Sequence, residues 1–169
     1  MKMNRLSYSI WGVFGNKNKF FLKNLQKKIR EDFGGPIFPL HLTLSSNFKI
    51  NKKKLTKMKL ISKESKKIHF KTNNFDFKKN FFQSIFLNIA INKELIYQKK
   101  MIDHFLKPKK KKYFPHISLF YGNISILKKK KIIKSLGSHK KKMIIDKLYL
   151  VQNDEKNFKW KIIKKFILQ

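Results

Sequence analysis

A four-residue pattern occurs twice in this 169-residue chain, as His41-Leu42-Thr43-Leu44 and again as His116-Ile117-Ser118-Leu119. In an extended strand successive side chains point to opposite faces, so each copy sets a histidine and a hydroxyl ~7 Å apart on one face and two aliphatics on the other. One face is suited to chemistry and the other to packing. Both copies are flanked by apolar residues and a proline, Pro39 ahead of the first and Pro115 directly before the second. Converging on one cavity, two imidazoles and two hydroxyls form a metal-free acid/base site for a phosphate ester. Histidine near its unperturbed pKa of ~6.5 can give or take the proton.

With 41% hydrophobic residues the chain can bury a core without staples, and residues 1–169 are expected to form a single domain. It contains no cysteine, which excludes disulfides, thiolate catalysis and cysteine-ligated metal sites. The nine acidic residues do not cluster near either motif histidine, so neither a metal nor another cofactor is expected. The net charge of +33 invites a nucleic-acid reading, but only Arg5 and Arg30 are arginines. A surface selected for phosphate would use the bidentate arginine fork more often. The lysine excess, accompanied by abundant Asn, Ile and Phe, is therefore read mainly as codon bias. Either way the field draws anions inward in a salt-dependent manner. The basic start over Met1 to Ser9 leads into an apolar stretch broken by Gly12, Gly15 and Asn16-Lys17-Asn18-Lys19. No run reaches the ~20 apolar residues that span a bilayer, so a cytoplasmic monomer with no membrane partner is expected.

Periodicity predicts strands over Leu6 to Phe14 and Phe38 to Ser45, and a helix over Lys19 to Phe33 stopped by Gly34-Gly35-Pro36. A basic helix over Lys52 to Ser62 precedes two strands, Lys67 to Phe77 and Phe81 to Ala90, joined around Lys78-Lys79-Asn80. Asn92 caps a helix over Lys93 to Leu106, Lys107 to Lys112 reads as a solvated loop, and Phe114 to Tyr121 is the second motif strand. Ser125 caps a helix ending at Leu136 before Gly137. Two strands, Met143 to Gln152 and Phe158 to Leu168, close the chain around Asn153-Asp154-Glu155-Lys156. The predicted class is α+β: two pseudo-symmetric lobes, each an antiparallel sheet with helices on its outer face, with the motif strands side by side at a central cleft.

The order of these segments resembles the two-histidine phosphoesterase superfamily, and within it the cyclic phosphodiesterases known from plants. The resemblance rests on Tyr8-Ser9-Ile10-Trp11, Phe33-Gly34-Gly35-Pro36, the segment Phe81-Phe82-Gln83-Ser84-Ile85-Phe86-Leu87, and Tyr113-Phe114-Pro115-His116-Ile117-Ser118-Leu119-Phe120-Tyr121. It runs from Tyr8 to Tyr121, with the C-terminal strands matching in pattern only. The first motif departs from it in having Leu40, not proline, directly before His41. Membership implies metal-independent hydrolysis of a cyclic phosphate, such as a 2',3'-cyclic nucleotide or ADP-ribose 1'',2''-cyclic phosphate, to a monophosphate. It also implies a role for Tyr121 beside the phosphate and for Gln83 at the substrate.

The residues support that chemistry independently. His41 and His116 supply the proton donor and acceptor, in either order, and Thr43 and Ser118 donate to the non-bridging oxygens. Trp11 can stack on a nucleobase or cover the core, while His69, His104 and His139 lack the paired hydroxyl and read as structural. RNA is a further candidate partner. The alternatives are a phosphodiesterase acting on RNA ends or cyclic oligonucleotides, and a non-catalytic RNA-binding module on the same fold.

Overall fold

Three of the four helices among the described residues begin where a polar side chain takes up a free backbone N–H. The computed structural model describes residues 7–154 and 159–169. In chain order it contains β1 (Ser7–Phe14), α1 (Asn16–Phe33), β2 (Leu42–Phe48), α2 (Lys52–Glu64), β3 (Ile68–Phe77), β4 (Ile85–Ala90), α3 (Lys93–Leu106), β5 (His116–Phe120), α4 (Ile126–Leu136), β6 (Lys142–Asp154) and β7 (Lys159–Ile167). Asn51 caps α2, Asn92 caps α3 and Ser125 caps α4, each side chain accepting from the N–H three residues on. The start of α1 has no side-chain cap. It begins at Asn16 rather than Lys19 because Asn18 is tied to β6, donating to the Lys142 carbonyl and accepting from the Ile144 N–H. Leu6, Phe158 and, of the turn expected around Asn153 to Lys156, Glu155 and Lys156 lie outside the described residues.

The predicted strand over Phe81 to Ala90 is shorter, starting at Ile85. Phe81, Phe82 and Gln83 instead belong to the β3–β4 loop. Lys78 N–H donates to the Gln83 carbonyl at 2.9 Å and Gln83 N–H donates to Asn80 Oδ1 at 2.9 Å, so local turn bonds replace ladder bonds there. The motif strands are likewise shorter at their starts, because Phe38 to His41 and Phe114 to Pro115 approach without ladder pairing.

All strand pairings are antiparallel, in the order β1-β2-β5-β4-β3-β6-β7, and β6 also pairs with β1. The first six strands therefore close into a ring, with β7 added along β6. The pairing scheme is unchanged when β1, β2 and β3 are exchanged with β4, β5 and β6. The repeat thus divides after β3, because β4-α3-β5 repeats β1-α1-β2. Each set takes its outer strand from the other repeat: β6 lies beside β1, and β3 beside β4.

Leu42, Leu44, Ile117 and Leu119 are almost completely buried. They join one core with Leu22 and Ile29 of α1 and Ile102 and Leu106 of α3, and α1 packs against β5 while α3 packs against β2. Burying these aliphatic faces fixes the register, since a one-residue slip would turn the histidines into the core. Among the described residues no helix is long and apolar enough to cross a membrane.

Candidate active site

Strands β2 and β5 meet through a single register pair, Leu42 opposite Ile117. In antiparallel register the neighbours follow, with His41 across from Ser118 and Thr43 across from His116. Each histidine faces the other strand's hydroxyl. His41, Thr43, His116, Ser118, Tyr121, Trp11 and Gln83 all line one open cavity of about 1160 Å³.

The two imidazoles are held alike. Nδ1 of His41 lies 2.7 Å from the Pro39 carbonyl, and Nδ1 of His116 lies 2.9 Å from the Phe114 carbonyl. A carbonyl only accepts, so Nδ1 carries the hydrogen and Nε2 of the neutral ring is left with its lone pair. In both motifs the acceptor is two residues upstream. The proline at a different position in the first motif therefore does not alter the tether.

Aromatic rings pack each imidazole. Trp11 stacks on His41 with ring centres 3.6 Å apart and planes 9° from parallel, while Phe86 meets His116 edge-on at 5.3 Å. These two rings occupy matching places, Trp11 paired to Thr43 in β1 and Phe86 paired to Ser118 in β4. Trp11, expected either to stack on a nucleobase or to cover the core, is buried and its ring braces the histidine.

Burial pushes the His41 pKa down to about 4; its carbonyl bond opposes this, and the positive form of His116 adds to it. His116 is lowered for the same leading reason, again opposed by its carbonyl bond, with Lys78 adding to the effect. The direction matches what the chain's positive field would give, but desolvation is the larger cause. Tyr121 is pushed up to about 12 by burial, partly offset by a hydrogen bond with Ser118. Its ring stacks on Phe38 at 3.6 Å, so it stays a neutral donor in a fixed place.

The hydroxyls differ at rest. Ser118 Oγ donates to the Phe82 carbonyl at 3.1 Å, whereas the Thr43 hydroxyl makes no hydrogen bond among the described residues. Gln83 Nε2 lies 3.2 Å from His116 Nε2 and donates to it, and Asn80 Nδ2 donates to Gln83 Oε1 at 3.3 Å. Gln83 is thus a partner of a histidine first. The β3–β4 loop carrying it is anchored from α4, where buried Lys129 donates its Nζ to the Lys78 carbonyl at 2.7 Å.

Sequence reasoning missed two contributors, Trp160 and His104, and read a third segment mainly as a solvated loop. Trp160 of β7 lines the cavity, with its ring 6.4 Å from Trp11 and 6.0 Å from Tyr121. Its signal, an aromatic alternating with lysines, was visible but lay outside the motif segments. Lys107 and Lys109 to Lys112, expected to be a solvated loop, are exposed yet line the cavity. His104 lines it too, whereas His69 contacts Glu94 and His139 sits edge-on to Phe21 and Phe75.

The fold is shared with known structures of low identity. E. coli LigT in apo form aligns with a TM-score of 0.64 at 12% identity, covering 97% of this chain and 98% of that one. LigT complexed with 3'-AMP gives 0.61 at 12% identity with the same coverage. TT0787 of Thermus thermophilus gives 0.63 at 13% identity, covering 96% and 97%. No curated protein matches the sequence. A family model described as cyclic phosphodiesterase-like protein matches residues 9–168, nearly the whole chain, and with both histidine motifs inside that span the chain belongs to the cyclic phosphodiesterase-like family of two-histidine phosphoesterases.

Proposed function

We propose that this chain hydrolyses a nucleotide-type cyclic phosphate to a monophosphate, with His41 as base and His116 as acid. The observation that carries the reading is the matched tethering of the two imidazoles, each with Nδ1 on a carbonyl and each opposite the other strand's hydroxyl. Such a pair leaves the Nε2 of His41, and that of His116 once Gln83 gives way, to handle protons on either side of one phosphorus. The three-stranded sets β6-β1-β2 and β3-β4-β5 then act as the two lobes flanking the substrate. LigT structures complexed with 3'-AMP and with ATP support a nucleotide as the ligand class.

Environments that push two titratable groups apart assign their roles. His41 is the more strongly depressed, so it stays neutral and takes the proton of the attacking water. The new bond joins the water oxygen to phosphorus, and the bond to one ribose oxygen breaks. His116 acquires its proton once the phosphate's negative charge arrives beside it, and gives that proton to the departing oxygen. Thr43 is ready to donate to a non-bridging oxygen, Ser118 turns from the Phe82 carbonyl to do the same, and Tyr121 borders the phosphate as a neutral donor.

His41→Ala and His116→Ala are each expected to lower kcat on a 2',3'-cyclic nucleotide by at least ~100-fold, the low end for lost general acid/base catalysis. Circular dichroism should be unchanged, and phosphorus NMR assigns the product. Native-like turnover by either folded variant overturns the paired mechanism.

A further inference from the structure

Beyond the histidines the cavity continues to a second polar end that the reaction does not use. Four buried side-chain polar atoms lack a hydrogen-bond partner among the described residues, and three of them belong to residues lining this cavity: Ser45, Tyr113 and Asp103. Ser45 continues the alternation of His41 and Thr43 along β2 and is 4% exposed. Tyr113 lies three residues before His116. Burial is the first cause and Asp103 the second of an upward shift in its pKa, so its hydroxyl keeps its proton. The carboxylate of Asp103 is already paired with Lys99 through its other oxygen.

The lysine segment belongs to the same end. Lys109 N–H donates to the Asn47 carbonyl, two residues beyond Ser45 in β2, and Lys109 to Lys112 line the same cavity. Two buried hydroxyls without partners are costly unless a ligand satisfies them; Lys109 to Lys112 share the cavity lining with them, and Lys99 offsets the carboxylate of Asp103. The aromatic rings Trp160 and Tyr121 line the cavity as well.

We propose that this end is a subsite for a second phosphate group of the substrate, with Ser45 and Tyr113 donating hydrogen bonds and Lys109 to Lys112 supplying the charge. The proposal rests on reading the histidine pair as the site of the first phosphate. The second phosphate belongs either to a 5'-phosphorylated mononucleotide or to the next phosphodiester of an oligonucleotide; the recognition chemistry is shared.

Calorimetric titration tests it without requiring turnover. The native chain should bind adenosine 2',5'-bisphosphate, or a dinucleotide ending in a phosphate, at least ~tenfold more tightly than adenosine 2'-monophosphate, the effect of one charge-assisted hydrogen bond. Whichever of the two binds more tightly identifies the source. Replacing Lys109 to Lys112 with glutamine, and separately Tyr113→Phe, should collapse that preference. Replacing four exposed lysines away from the cavity, Lys59, Lys63, Lys66 and Lys67, should preserve it. Equal affinities in the native chain, or equal loss in the distant variant, overturn the subsite. Loss of cyclic-nucleotide hydrolysis alone bears on the histidine mechanism and leaves this comparison standing.

Discussion

His41 and His116 are each poised by two opposing effects. The Nδ1 bond to a carbonyl favours the charged ring, and burial against aromatic faces disfavours it more strongly. For His41 the folded value of about 4 lies below the ~6.5 of an unfolded histidine, so as pH falls the unfolded chain takes up the proton first. Stability present above pH ~6.5 is therefore lost progressively between ~6.5 and ~4. His41→Gln should show a shallower fall in Tm over that window than the native chain, and parallel curves would refute the depressed value. Gln83 acts on the other histidine, because Asn80 fixes its oxygen and leaves its NH2 to donate to His116 Nε2, which favours the neutral ring. Gln83→Glu replaces that donor with a carboxylate and should raise the His116 pKa by about one unit, measurable by NMR titration. An unmoved resonance would detach Gln83 from the titration of His116.

At the scale of elements, the β3–β4 loop joins the fold to the chemistry. Its Phe82 carbonyl holds Ser118, its Phe81 carbonyl accepts from Gly122 N–H, and its Gln83 reaches His116. The loop in turn hangs on Lys129, whose side chain crosses from α4 to the Lys78 carbonyl. Lys129→Met keeps most of the apolar stem but removes the donor. It should cost about 1–3 kcal/mol in chemical denaturation, the penalty for an unpaired buried acceptor. It should also lower kcat more than it raises KM, since the loop positions His116 and Ser118, the groups proposed to act in catalysis. A stability loss with kcat intact would make Lys129 purely structural. The loop also marks where sequence reading stopped working. The two motif strands were legible because alternation forces Leu42, Leu44, Ile117 and Leu119 to one face, and the caps at Asn92 and Ser125 are local signals. The boundary at Ile85 was not legible, because Phe81-Phe82-Gln83 has the composition of a strand and is held by side-chain bonds within a turn. Trp160 reaches the cavity only because β6 pairs with both β1 and β7, a nonlocal fact that no strand pattern encodes.

For the whole molecule, 42 basic residues against 9 acidic ones produce a field that acts whatever its origin. That field acts in opposite senses on folding and on substrate capture. The native chain holds its like charges closer together than the unfolded chain does, so repulsion disfavours folding. The same potential draws a phosphate ester toward the cavity, where Lys107 and Lys109 to Lys112 stand at the edge. Raising potassium chloride from ~0.01 M to ~0.15 M shortens the screening length from ~30 Å to ~8 Å. Over that range Tm should rise while kcat/KM for a cyclic nucleotide falls by up to ~tenfold, the low end for electrostatic steering. The pKa values of the histidines should move little with salt, because desolvation is their leading cause. The loss in kcat/KM should therefore appear in KM, with kcat and the pH optimum nearly constant. Differential scanning fluorimetry and initial rates on the same salt series decide it. A Tm that falls with salt, or a kcat/KM that ignores it, would mean that local pairing has neutralised the lysines and that the net charge plays no part in bringing substrate to the histidines.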